Sequence, residues 1–169
     1  MRNILFFAVL LFLFSCDDGD LQIEVIDFDS VDPQTCGTVD IETSLFFKIN
    51  EDEALILELQ SGLLKNEASA ATIESTIGSG SKLTYRLFSD NVTNTYFCSE
   101  VPTTTPTVLS EIEAENGKVL ITTTGAEEDT VTFSHVIQLS DITFKTAADS
   151  RITDLTINDF GTVTTVKTE

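Results

Sequence analysis

The chain reads as an all-β domain, a β-sandwich that is immunoglobulin-like in the loose sense, with about eight to ten short strands. Three observations carry that expectation. Apolar residues recur at every second position in stretch after stretch. About 25 threonines, together with Val, Ile and Phe, supply side chains that fit a pleated surface. Turn signals built from Gly, Asn, Asp and Pro separate the stretches at short intervals.

The first segment is of another kind. Arg2 and Asn3 lead into Ile4 to Phe14, an unbroken run of 11 apolar residues. As a helix it would rise about 16 Å, roughly half a bilayer's hydrocarbon core. That length suits a signal peptide (residues 1–15) rather than a span. The run stops at Leu13-Phe14-Ser15-Cys16, which resembles the lipobox of bacterial lipoproteins: Leu, a small residue directly before the Cys, then Cys. Phe14 departs from the small residue usual at its position. The resemblance implies cleavage before Cys16, a diacylglycerol on its sulfur and acylation of the freed amine. Each buried CH₂ adds about 0.8 kcal/mol, so two or three acyl chains anchor durably where one holds marginally.

Residues 16–20 would be the lipidated Cys and an acidic tether with Asp17, Asp18 and Asp20. In proteobacterial lipoproteins an Asp here implies inner-membrane retention. An acidic run directly after the Cys resembles the surface-export signal of Bacteroidota lipoproteins. The expected location is the outer membrane, lipid-anchored at the cell surface, with a periplasm-facing position as the alternative. The membrane is thus one partner, through the anchor.

Residues 21–169 read as a single β-sandwich domain. Without residues 1–15 the chain keeps 154 residues, enough for one core, with 8 basic against 28 acidic side chains. That balance disfavours nucleic acid and direct adsorption to anionic lipid. With Cys16 lipidated, Cys36 and Cys98 remain as a pair in an oxidising compartment, which reads as one disulfide.

The strands follow in order. Leu21 to Asp29 alternates, with a phase switch at Ile26 and Phe28. Ser30 to Gly37 is a loop with Pro33 and Cys36. Thr38 to Asn50 is the cleanest strand, with Ile41, Thr43, Leu45, Phe47 and Ile49 inward and Phe46 as an exception. Glu51 to Glu53 turns, and Ala54 to Gln60 is a strand. A helical turn is expected near Leu63 to Asn66 and a short strand near Ile73 to Ile77. Leu83 to Phe88 follows, then Asn91 to Glu100 with Cys98, then a Pro102–Pro106 crossover. Asn116-Gly117 predicts a type I′ hairpin pairing Ala114 with Val119 and Ile112 with Ile121. Thr130 to Leu139 carries Phe133, His135, Ile137 and Leu139 on one face, and the phase slips before Ile142 and Phe144. Ile152 to Ile157 and Thr162 to Lys167 close the domain.

Candidate chemistry is sparse. His135, the chain's one histidine, lies on an apolar strand face and reads as a satisfied core residue. Ser79-x-x-Lys82 matches a penicillin-binding motif in letters, yet sits in a Gly-Ser loop without companion motifs. Asp27, Asp29 and Asp32, or Glu127, Glu128 and Asp129, offer oxygens to Ca²⁺ without the spacing of a calcium loop. No metal site, catalytic residue or cofactor is therefore expected. The chain has no Trp, and Tyr85 and Tyr96 fall on or beside core strands, which argues against a sugar platform. Asp29-Ser30-Val31 and Asp129-Thr130-Val131 resemble Bacteroidota O-glycosylation acceptors, implying modification at Ser30 and Thr130. Phe46 and Phe88 sit on the outward phase of their strands, where they meet a partner or a covering loop. The domain as a whole resembles small hypothetical Bacteroidota surface lipoproteins. The expected function is that of a lipid-anchored envelope protein, a non-enzymatic binding or accessory module with an envelope protein as its partner. A surface-anchored hydrolase and a purely structural envelope protein are the alternatives.

Overall fold

Alternating and doubly apolar stretches assemble into one antiparallel sheet, described by a computed structural model over residues 28–101, 103–126, 131–145, 151–153 and 159–167. The strands are β1 (Leu45–Asn50), β2 (Glu53–Glu58), β3 (Ile73–Thr76), β4 (Lys82–Phe88), β5 (Val108–Gly125), β6 (Thr132–Lys145), β7 (Arg151–Thr153) and β8 (Asp159–Val166). A single short helix among the described residues, α1 (Asn94–Cys98), lies between β4 and β5. The all-β expectation holds. The sheet is curled, with the order β1-β2-β4-β5-β6-β7, while β3 pairs with β5 and β8 pairs with β6.

The long strands explain the curl. The first part of β5 pairs with β4, and its second part with β3 and with β6 from Phe133 to Phe144. The first part of β6 also pairs with β8, and its end with β7. Both strands bend at facing irregularities. The β5–β6 register shifts on either side of Asn116, Gly117 has φ 129° and Asp141 has φ 55°. A bulge adds a residue to one strand, bends it and increases its twist.

This corrects the predicted hairpin. Residues 114–119 do not turn back: Ile112 pairs with Tyr85, and Ile121 lies between Ile73 and Ile137. A type I′ turn requires positive φ at both central residues, and of the pair only Gly117 has it. The glycine's freedom is used in a bulge. The tight turn lies instead at Glu51-Asp52, where Asn50 pairs with Glu53 and Glu51 takes φ 54°.

Residues from both halves of the sheet fill one core. Leu55, Leu57, Leu83 and Tyr85 come from one half, and Val119, Ile121, Ile137 and Phe160 from the other. The phase of β1 is opposite to the expectation. Phe46 enters this core and Lys48 lies over the Phe160 ring, while Leu45, Phe47 and Ile49 face the other side. β1 also begins later than predicted, because Asp40 folds Asp40–Thr43 into a local turn. Its carboxylate accepts from the Glu42 N–H at 2.9 Å and from the Thr43 hydroxyl at 3.0 Å.

The second face of β1 and β2 is roofed by residues 89–101. Phe47, Ala54, Ile56 and Phe88 are buried there with Val92 under Tyr96 and Phe97 of α1. The Phe97 ring stacks on Phe47 with centroids 4.4 Å apart, and Tyr96 meets Phe88 edge-on at 4.9 Å. Phe46 and Phe88 are thus both buried, one in the core and one under this roof, and form no surface patch. The roof is hooked to the β1–β2 turn by Val92 N–H to Glu51 O at 2.9 Å. Gln34 exchanges two backbone hydrogen bonds with Phe47 of β1, at 2.8 and 2.9 Å, beside the segment that carries Cys36.

Candidate functional site

Between β2 and β3 the chain runs without regular secondary structure from Leu59 to Thr72. The helical turn expected at Leu63–Asn66 does not form. Apolar burial and side-chain hydrogen bonds to distant strands hold the segment in its place. Leu64 is buried in the core. The Ser69 N–H donates to Thr123 O at 2.9 Å, and the Thr123 N–H donates to Ser69 Oγ at 2.9 Å. Thr72 and Thr122 hydroxyls meet at 3.1 Å. Two adjoining grooves follow the loop, each of about 340 Å³ and both open to solvent. The first is lined by Ile41, Glu42, Gly62, Leu64, Lys65, Asn66 and Glu67, and the second continues along Ala68–Ala71 to Ile73.

A buried polar chain reaches the first groove from the core. His135 on β6 is fully buried. The register places it opposite Thr123 of β5 and Val163 of β8, so Thr165, two residues along β8, shares its face. Its Nδ1 lies 2.9 Å from Thr123 Oγ1 and its Nε2 lies 2.8 Å from Thr165 Oγ1. The Thr165 hydroxyl donates to Asn66 Oδ1 at 2.7 Å. A hydroxyl has one hydrogen to give. Thr165 gives it to Asn66 and accepts from His135, so the neutral ring carries its proton on Nε2 and accepts from Thr123 on Nδ1. Burial pushes the His135 pKa below its ordinary value, which keeps the ring neutral.

The predicted residues fall as follows. The structure joins Cys36 and Cys98 in a disulfide, with Cα atoms 5.3 Å apart, fastening the roof to the segment beside β1. Ser30 is exposed, as are Asp29 and Asp32. Cys16, Asp27, Glu127, Glu128, Asp129 and Thr130 lie outside the described residues. Ser79 is exposed in a turn, and the Lys82 ammonium is held by Glu113 at 2.5 Å and Glu58 at 3.8 Å. The hydrogen bond to Glu113, then its charge, raises the Lys82 pKa. Among the described residues no group of three or more His, Cys, Asp or Glu converges to hold a cation. Periodicity and motifs did not single out Thr123, Thr165 and Asn66. The two threonines were findable, because each stands on the apolar phase of a strand beside Ile121 or Val163.

No protein-family model, curated protein or solved structure matches the chain.

Proposed function

We propose that the chain is a lipid-anchored envelope protein, carried to the outer membrane and displayed at the cell surface. Its domain acts there as a non-enzymatic binding or accessory module for another envelope protein. Support for the anchor is the 11-residue apolar run ending at Cys16. The observation that carries the binding reading is the groove along residues 61–71. An irregular loop is fixed by Leu64, Asn66 and Ser69, and it presents Lys65 and Glu67 in a groove that Ile41 also lines. A hydrolase that used His135 as its base would need the ring free, whereas both nitrogens are engaged and no face meets solvent. In the finer reading of the fold, the two halves of the curled sheet are the layers of a loose immunoglobulin-like sandwich. The shared core supports this. Exposure of Ser30 suits the glycosylation read from Asp29-Ser30-Val31, and Thr130 is proposed on its motif alone.

Three measurements test the reading. Cys16→Ser should abolish incorporation of labelled fatty acid, and normal labelling of that variant would remove the anchor. A photo-crosslinker at position 65 should capture one envelope protein in intact cells, while the same probe at exposed Thr95 should not. Equal capture from both positions would show that the groove is not the binding surface. Turnover in a broad hydrolase screen, abolished by His135→Ala, would replace binding by catalysis.

A further inference from the structure

We propose that His135 is a proton-sensitive latch for the 61–71 loop: a proton taken up at Nδ1 opens the loop and leaves the sheet closed. The latch goes beyond the binding reading and does not require it. A proton added to Nδ1 places an N–H against the Thr123 hydroxyl, which now donates to that nitrogen. It also creates a cation in a fully buried position.

The groups around the ring do not compensate it. β5 offers the Thr123 hydroxyl, β8 offers Val163 and the Thr165 hydroxyl, and the loop offers Asn66 and Ser69. The charged side chains of the packed elements stay at the surface. They are Lys65 and Glu67 on the loop, Glu111, Glu113, Glu115 and Lys118 on β5, Asp141 and Lys145 on β6, and Asp159 with Lys167 at β8. Burial is the one cause that lowers the His135 pKa. An unpaired buried cation is strongly disfavoured until water reaches it, so the weakest cover yields first. β5 and β8 grip β6 through ladders from Thr132 to Gln138. The loop is held by Leu64, the Asn66–Thr165 bond and the Ser69–Thr123 bonds. The loop is the weaker cover.

In the open state a hydrated ring titrates near pH 6.5. As pH falls through that value the open form binds a proton and the closed form does not. The open population then rises up to about tenfold per pH unit, until the lowered pKa of the closed form is reached. Hydrogen exchange of the full lipidated chain in detergent tests this, comparing pH 7.5 with pH 5.5 after correction for intrinsic rates. Protection of the Ser69 amide, whose N–H donates to Thr123 O, should fall by up to about tenfold while β6 amides keep theirs. His135→Gln should make the Ser69 protection independent of pH. The ring itself is readable without any variant, since His135 is the chain's single histidine. Its nitrogen shifts should report the Nε2–H tautomer at pH 7.5. Flat Ser69 protection in the native chain, equal loss of β6 protection, or a ring carrying its proton on Nδ1 would each overturn the latch.

Discussion

Thr165 stands where the period-two pattern of β8 asks for an apolar side chain, two residues after Val163. Its hydroxyl is satisfied on both sides, accepting from His135 and donating to Asn66. Thr165→Val keeps the volume and removes both bonds, leaving the buried Nε2–H without an acceptor. The expected cost is about 1–3 kcal/mol, measured by urea denaturation. Thr164→Val, one residue away and exposed, should stay within about 0.5 kcal/mol. Stability should also follow the protonation of His135. The folded-state pKa is lowered, so this contribution is complete above pH 6.5 and lost as pH falls toward the folded value, by at most about 1.4 kcal/mol per unit. A denaturation series from pH 7.5 to 5 checks the sign, and His135→Gln should remove this component. At this scale the sequence was half legible. A polar residue on an apolar phase marks Thr123 and Thr165, whereas Asn66 is 99 positions from its partner in an aperiodic loop.

At the scale of elements, Asn116-Gly117 shows why a strong local signal can be misread. Asn-Gly reports tolerance of positive φ, and a bulge uses that tolerance as well as a hairpin does. The flanking residues could not decide, because alternation continues unbroken on both sides. What decides is tertiary: β4 takes one part of β5 and β6 the other. A β-carbon at Gly117 would lie 2.5 Å from Ile142 Cδ1 and 3.1 Å from Ser140 O. With φ 129° and that crowding together, Gly117→Ala should cost roughly 2–3 kcal/mol, visible as a lowered urea midpoint. The β1 phase was misread for a related reason. Both of its faces are covered, so alternation could not say which faced the main core. The roof over its second face depends on Cys36–Cys98, 62 residues apart. On the chain-entropy argument that closure stabilises the fold by roughly 4 kcal/mol. Intact-mass analysis after alkylation without reductant should find neither thiol free, and two adducts would show the bridge absent.

For the whole molecule, charge is the dominant property that composition made plain. The net charge is −19. The ion pairs Arg86–Glu111, Lys118–Glu74 and Lys82–Glu113 are exposed or partly exposed and directly contacted at 2.5–2.8 Å. Such exposed pairs, screened by solvent, contribute little, and most carboxylates have no cation to meet because acids outnumber bases 28 to 9. Self-repulsion outweighs pairing, so raising NaCl from 10 to 200 mM should raise the melting temperature. A fall on adding salt would show that attraction within the ion pairs outweighs the repulsion.

β5 and β6, of 18 and 14 residues, belong to both halves of the sheet at once. Neither half can therefore be made a subdomain by separating it from the other. Loss of order in one removes strands from the other, and heat or urea should produce one coincident transition by every probe. The same continuity separates the effects of two single backbone cuts. A nick at the Glu51-Asp52 turn loosens only an edge strand, which the Cys36–Cys98 bridge still tethers, and leaves the ladders of β5 and β6 whole. A nick between Asn116 and Gly117 divides the strand that both halves share. Its two fragments should regain structure only when mixed.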